Sequence, residues 1–165
     1  MKETDLRELN LNPFTLFGND WLVLTAGNES IGCNAMTVSW GHLGCLWSHN
    51  KPTAIAYVRQ SRYTKELIDK TDLFTLSLIE DRNALGYLGS HSGRNENKFE
   101  KTGLKPMFTD GTAAIEGAKL VFVCKKLYKA PISPENFIDQ SIVAKDYANG
   151  DFHDMYIGEI IKVYE

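Results

Sequence analysis

The sequence predicts a mostly β fold with inserted helices, closed as an antiparallel barrel. Three observations carry this reading. Apolar runs rich in β-branched and aromatic residues recur along the chain. Helical signals are few and short. Strands and helices do not alternate regularly, which argues against a doubly wound parallel sheet. Closure of about six or seven strands into a barrel removes exposed sheet edges.

Taken in order, Trp21–Ala26 is β-branched and apolar and ends in the turn-like pair Gly27–Asn28. Ala35–Trp40 alternates and is stopped by Gly41. Thr53–Arg59 is a strand opened by Pro52, and Phe74–Ile79 is the next. Ala113–Glu116, Lys119–Tyr128 and Met155–Tyr164 complete the strands. Ser61 can cap a helix over Arg62–Lys70, with Leu67 and Ile68 facing inward. Arg82–Leu88 and Glu96–Thr102 read as two further short helices, the second ended by Gly103.

A length of 165 residues, without a repeat or linker, predicts one domain over residues 1–165. A chain of this size buries roughly 70% of its unfolded surface and needs no staples. Its 43% hydrophobic and 24% charged residues are ordinary globular values, which exclude disorder and a coiled coil. The formal charge of −3 leaves no electrostatic footprint for nucleic acid, so any anion must be captured by a local basic cluster. The three cysteines, Cys33, Cys45 and Cys124, are odd in number and lack C-x-x-C spacing. They argue against a zinc site or a disulfide framework and for a reducing setting. The polar segment Met1–Asn12 is no signal peptide, and no run approaches the roughly 18 apolar residues of a membrane helix. A soluble cytoplasmic protein without a membrane partner is the expectation.

Three segments could carry chemistry. In Arg59–Gln60–Ser61–Arg62–Tyr63–Thr64 a strand ends and a helix begins among two arginines and two hydroxyls. A helix N-terminus offers unpaired N–H groups and partial positive charge to a phosphate, and arginine adds planar bidentate donors. The same residues also fit a plain helix cap with surface arginines. Gly89–Ser90–His91–Ser92–Gly93–Arg94, followed by Lys98, is a loop of small donors with two cations. In Asn34–Ala35–Met36–Thr37–Val38–Ser39–Trp40–Gly41, Thr37 and Ser39 share one strand face while Met36, Val38 and Trp40 share the other. A polar strand face that is buried needs partners, and a heteroaromatic ring would supply them. The alternative is a half-exposed strand with a core Trp. Nucleotide-loop, zinc-protease and serine-hydrolase motifs are missing, and the four histidines His42, His49, His91 and His153 are scattered.

Read together, N-A-M-T-V-S-W-G, V-R-Q-S-R-Y-T, G-S-H-S-G-R-N-E-N-K-F and H-D-M-Y-I-G-E-I resemble the flavin-reductase-like family, and particularly its flavoredoxin-type members. The likeness spans roughly Asn34 to Ile160, in family order. It implies an FMN-binding antiparallel split barrel that forms a homodimer, with flavin near the subunit interface. Carried onto this chain, Met36, Thr37, Val38, Ser39, Trp40 and Gly41 would pass along the isoalloxazine ring. Arg59, Ser61, Arg62 and Thr64 would hold the phosphate, and Tyr63 would pack on the cofactor or the partner subunit. Ser92, Gly93, Arg94 and Lys98 would close the other side. Gln60 stands where members often have proline, and Asn97 where aspartate is common. The family meets NAD(P)H at the exposed flavin face, so the resemblance implies hydride transfer at flavin N5 without a protein catalytic dyad. Electrons would leave to free flavin, a redox partner protein or oxygen. An electron carrier with tightly bound FMN and no direct NAD(P)H activity is the alternative, and a ligand-binding module without redox chemistry is a third.

Overall fold

Strand β1 (Leu22–Asn28) is buried along nearly its whole length because its two faces meet two different cores. Leu22, Leu24 and Ala26 enter a main core with Phe74, Leu76, Phe122 and Tyr156, while Val23 points into a second core with Leu85, Leu88, Phe99 and Val121. The period of two along a strand makes that division, and it explains why the segment reads as a continuous apolar run. The computed structural model describes residues 1–165.

A short helical turn α1 (Pro13–Thr15), capped by Asn12, precedes β1. After β1 come β2 (Gly32–Val38), β3 (Gly41–Leu46) and β4 (Lys51–Arg59). Helix α2 (Tyr63–Lys70) leads to β5 (Leu73–Leu78), and α3 (Arg82–Ser90) and α4 (Lys98–Thr102) follow. The hairpin β6 (Pro106–Thr109) and β7 (Thr112–Ile115), then β8 (Leu120–Pro131), α5 (Gln140–Asp146) and β9 (His153–Tyr164), complete the chain. Seven strands form one antiparallel sheet in the order β2-β1-β5-β8-β9-β4-β3. It curls around the main core, but β2 and β3 are its two ends and no ladder joins them. The barrel is therefore split rather than sealed, and β2 keeps one edge free beside β4.

Every strand expected from the sequence is present, with shifted ends. Gly41 does not stop a strand but opens β3, a strand with little sequence signal because its residues are mostly exposed. The missed β6 has a local signal: Asp110 and Gly111 both take positive φ, 52° and 83°, as a tight hairpin turn requires. Helix α5 was also missed; none of its residues is buried, so no apolar stripe announces it. Gly103 does end α4, in the left-handed conformation. Ser61 does not cap α2: the N-cap position belongs to Arg62, and no side chain caps there. No helix is long and apolar enough to cross a membrane.

A half-buried polar network fixes α2 to β8 and β9. Lys65 Nζ lies 2.7 Å from Asp69 and 3.0 Å from Asp154, and Lys129 Nζ lies 2.9 Å and 3.2 Å from the same carboxylates. The Tyr156 hydroxyl donates to Asp69 at 2.7 Å, and the Gln60 amide donates to Asp154 at 3.0 Å. Burial would raise both carboxyls, but these donors outweigh it and hold Asp69 down to about 2 and Asp154 below the usual range. Lowered carboxyl values mean that the unfolded chain takes up protons first as pH falls. The stabilisation is therefore complete above pH ~4 and is lost as pH falls from there toward the folded values. Urea midpoints should stay level between pH 7 and 5 and drop below pH ~4, and the drop should be shallower in Asp154→Asn.

Candidate functional site

The ladder between β4 and β9 sets Arg59 opposite His153, and both point to the gap beside the free edge of β2. The gap is a cleft of about 370 Å³, lined by Met36, Thr37, Val38, Ser39 and Trp40 on one side and by Tyr57, Arg59, Arg62 and His153 on the other. Helix α3 forms its end wall with Leu85, Gly86, Gly89 and Ser90. A second cavity of about 190 Å³ lies between the start of α2 and the loop before α4. Ser61, Arg62, Tyr63, Thr64, Ser92, Gly93, Arg94 and Lys98 line it together with Asn34, Ser90 and His91. No carboxylate lines either cavity. Arg62 and Ser90 belong to both, so the two make one groove: a broad slot ending in a small cationic pocket.

Several expected donors turn out to be committed to the protein itself. The Arg59 guanidinium donates to the carbonyls of Asp151 at 2.6 Å and Asp146 at 3.3 Å and lies over the Tyr147 ring at 5.4 Å. It pins the excursion between β8 and β9. The Ser61 hydroxyl and N–H donate to the Asp151 carboxylate at 2.7 and 3.1 Å, a stronger acceptor than the bare helix end offers. Arg94 forks onto Glu66 at 2.9 and 2.6 Å and donates to the Ser61 carbonyl at 2.7 Å. Arg62 has no such partner; its guanidinium is free where the two cavities join, and its charge reaches both Lys98 and His153.

Lys98 is 3% exposed, and its ammonium donates to the carbonyls of Leu88 at 3.0 Å and His91 at 3.2 Å. These carbonyls end α3, where helix carbonyls lack partners and the dipole is negative. Burial, and then the Arg62 charge, push Lys98 down to about 8. Gly93 touches the floor of the pocket: a Cβ there would lie 2.2 Å from the Asn34 amide oxygen. Asn97 caps α4 by accepting from the Phe99 N–H at 3.1 Å, a role aspartate fills equally well. Gln60 uses its N–H on the Phe152 carbonyl at 2.9 Å, a bond proline cannot make.

Along the slot, Met36 and Val38 face the main core, and the Thr37 hydroxyl donates to the Leu85 carbonyl at 2.6 Å. The Thr37–Ser39 face is therefore turned to α3 rather than left unpaired in the core. Trp40 is 42% exposed, not a core Trp, and packs against His153 with ring centres 4.8 Å apart. Burial and the Arg59 charge push His153 down to about 4, so it is neutral at pH 7, with the Tyr147 hydroxyl 2.8 Å from Nδ1. Gly41 alone among the expected residues lies outside both cavities. It lines a neighbouring apolar cavity, where a Cβ would meet the Phe17 ring at 2.2 Å.

Sequence reasoning placed Asn34 and Gly89 within candidate segments without giving either a role of its own, and it did not single out Tyr57, Gly86 or His153 for the site. Gly86 and Gly89 carry a weak signal, since glycines inside a helix cost about 1 kcal/mol each; a Cβ at Gly89 would only reach ordinary contact with Thr37 at 3.5 Å, and one at Gly86 would meet open space. His153 carries none, because only the β4–β9 register brings it beside Arg59.

The sequence matches the family described as flavin reductase like domain over residues 15–165. No protein of curated function matches it. Among solved structures, an FMN-binding protein from Thermus thermophilus, crystallised with 1-cyclohex-2-enone, is 20% identical with a TM-score of 0.68, over 100% of this chain and 80% of that one. Flavoredoxin of Desulfovibrio vulgaris is 21% identical with a TM-score of 0.67, over 99% and 76%. The 2-nitrobenzoate 2-nitroreductase of Pseudomonas fluorescens is 19% identical with a TM-score of 0.62, over 92% and 68%.

Proposed function

The chain belongs to the flavin reductase like domain family, and on that premise we propose that it is an FMN-binding oxidoreductase that takes its electrons from NAD(P)H. The observation that carries this reading is the groove itself: a slot along a free strand edge that ends in a cationic pocket without carboxylates. The residues fit FMN. The unpaired edge of β2 from Met36 to Val38, continued by Ser39 and Trp40, offers backbone donors and acceptors to a ring. Arg62, Thr64, Ser92 and Lys98 suit the phosphate, with Gly93 letting the loop approach. Arg59, Ser61 and Arg94 act one step back, holding the walls that carry those donors. Tyr63 forms part of the pocket wall under the Arg94 guanidinium, 5.7 Å from its ring centre. When bound, FMN supplies hydride acceptance and electron transfer. The chain's part is to hold it, to keep His153 neutral beside the slot, and to leave the Trp40 side open to a second molecule.

The visible spectrum of purified protein and its bleaching by NADH or NADPH test this. Oxidised-flavin bands that neither nicotinamide bleaches would refute direct NAD(P)H activity. Exposed Trp40 and Phe14, at 42% and 86%, favour a second reading, an electron carrier docking a redox protein at the groove mouth. That reading predicts tight FMN, poor NAD(P)H oxidation and fast exchange with a reduced partner protein. The unpaired edge strand β3, with exposed Leu46 at its end and Trp47 beyond it, supports a homodimer. Sedimentation showing a monomer at micromolar concentration would count against it. The unpaired cysteines, with Cys45 exposed, fit the cytoplasm.

Lys98 gives the binding a pH signature. Its folded value of about 8 means that the free pocket loses a cation as pH rises through that point. A phosphate ester is already dianionic above pH ~7, so its own charge stays constant. FMN affinity should fall between about pH 7 and 9.5 while riboflavin affinity stays flat, as fluorescence titration will show. A flat FMN profile would remove Lys98 from the phosphate site.

A further inference from the structure

Asn34 sits on β2 at 5% exposure, beneath the cationic pocket, and touches both of its walls. Its amide nitrogen donates to the Thr64 hydroxyl oxygen at 2.8 Å, and its amide oxygen lies under Gly93. The Ala35 carbonyl, 3.4 Å from the same nitrogen, has no proton to give, which fixes the amide this way round. Thr64 is 1% exposed. A hydroxyl has one proton and two lone pairs, and here a lone pair is taken by Asn34. The proton has no acceptor within the protein, and Thr64 faces the pocket.

We infer that Asn34 is a positioning residue: by donating to Thr64 it turns the Thr64 hydroxyl proton into the pocket, where it donates to the phosphate of FMN. The inference rests on the FMN reading above. A buried hydroxyl whose proton must go to the ligand strengthens an anion contact and penalises a ligand without that group. The pocket then distinguishes FMN from riboflavin through a side chain that need not touch the ligand.

The test is a double-mutant cycle on the full chain, with FMN and riboflavin titrated against wild type, Asn34→Asp, Thr64→Val and the double variant. A carboxylate at 34 accepts from Thr64 and withdraws its proton from the pocket. Asn34→Asp should weaken FMN about 20-fold or more and riboflavin less than about threefold. With valine at 64 the same change should cost FMN about fivefold less. Thr64→Ser, which keeps the hydroxyl, should retain the full sensitivity. An equal FMN penalty in both backgrounds would mean that the carboxylate acts by charge alone and would overturn the inference. Equal losses for FMN and riboflavin would place Asn34 in the fold rather than in phosphate recognition and would also overturn it. A wild type that binds neither flavin would sink the FMN reading itself. The Asn34 contact is then read separately with inorganic phosphate: ³¹P line broadening by wild type that Asn34→Asp abolishes upholds it, and equal broadening refutes it.

Discussion

Arg62→Ala is expected to weaken FMN binding by roughly ten- to a hundredfold while leaving the thermal midpoint of the apoprotein unchanged. Arg62 stands where the slot meets the pocket and makes no ion pair or side-chain bond within the protein. Its removal therefore takes nothing from the fold. A charge-assisted contact to a phosphate contributes about 1.5–3 kcal/mol, and arginine can make it bidentate. Removing the Arg62 charge also relieves one of the causes that hold Lys98 and His153 down, so the pH profile for FMN should move upward in the same variant. Riboflavin titration is the control, and an equal loss for both flavins would mean that Arg62 reads the ring or the ribityl chain instead.

Arg59→Ala should do the reverse, lowering stability first and affinity second. Its guanidinium holds the Asp146 and Asp151 carbonyls and covers Tyr147, which stacks on Phe152 at 4.6 Å. One short charge-assisted bond, a second that is long at 3.3 Å and a cation–π contact, all on a half-exposed group, are together worth roughly 2–4 kcal/mol. For a chain of this size that is a fall of about 4–16 °C in thermal midpoint. The segment between Ile132 and Phe152, whose helix α5 has no buried residue, should become the first site of limited proteolysis. Ser61 loses part of its support at the same time, because Asp151 is its partner, so FMN affinity falls, though less than in Arg62→Ala. A stable Arg59→Ala protein with the larger FMN defect would invert the assignment of the two arginines.

Much of the fold was legible because strands here announce themselves locally. β1, β4, β5, β8 and β9 bury apolar side chains, and a β-branched run is visible without knowing its partners. β3 and α5 were not legible, since a mostly exposed strand and a helix without buried residues need no apolar period. The split in the barrel was not legible from pattern either. Whether β2 meets β3 depends on curvature and register across seven strands, which no local run encodes.

By itself the sequence determined where short donors and cations cluster, one group at Arg59–Thr64 and one at Ser92–Lys98, in a chain with no general basic field. Only the tertiary structure decided which of those groups are left without partners inside the protein. Arg59 and Arg62 are three positions apart and equivalent in composition. They differ because Arg59 meets carbonyls 87 and 92 residues further along the chain, while Arg62 meets none. The same holds for Thr64, whose hydroxyl oxygen accepts from Asn34 on a strand 30 residues earlier. A donor's availability is what remains after its partners are satisfied, and those partners are supplied by packing between distant segments.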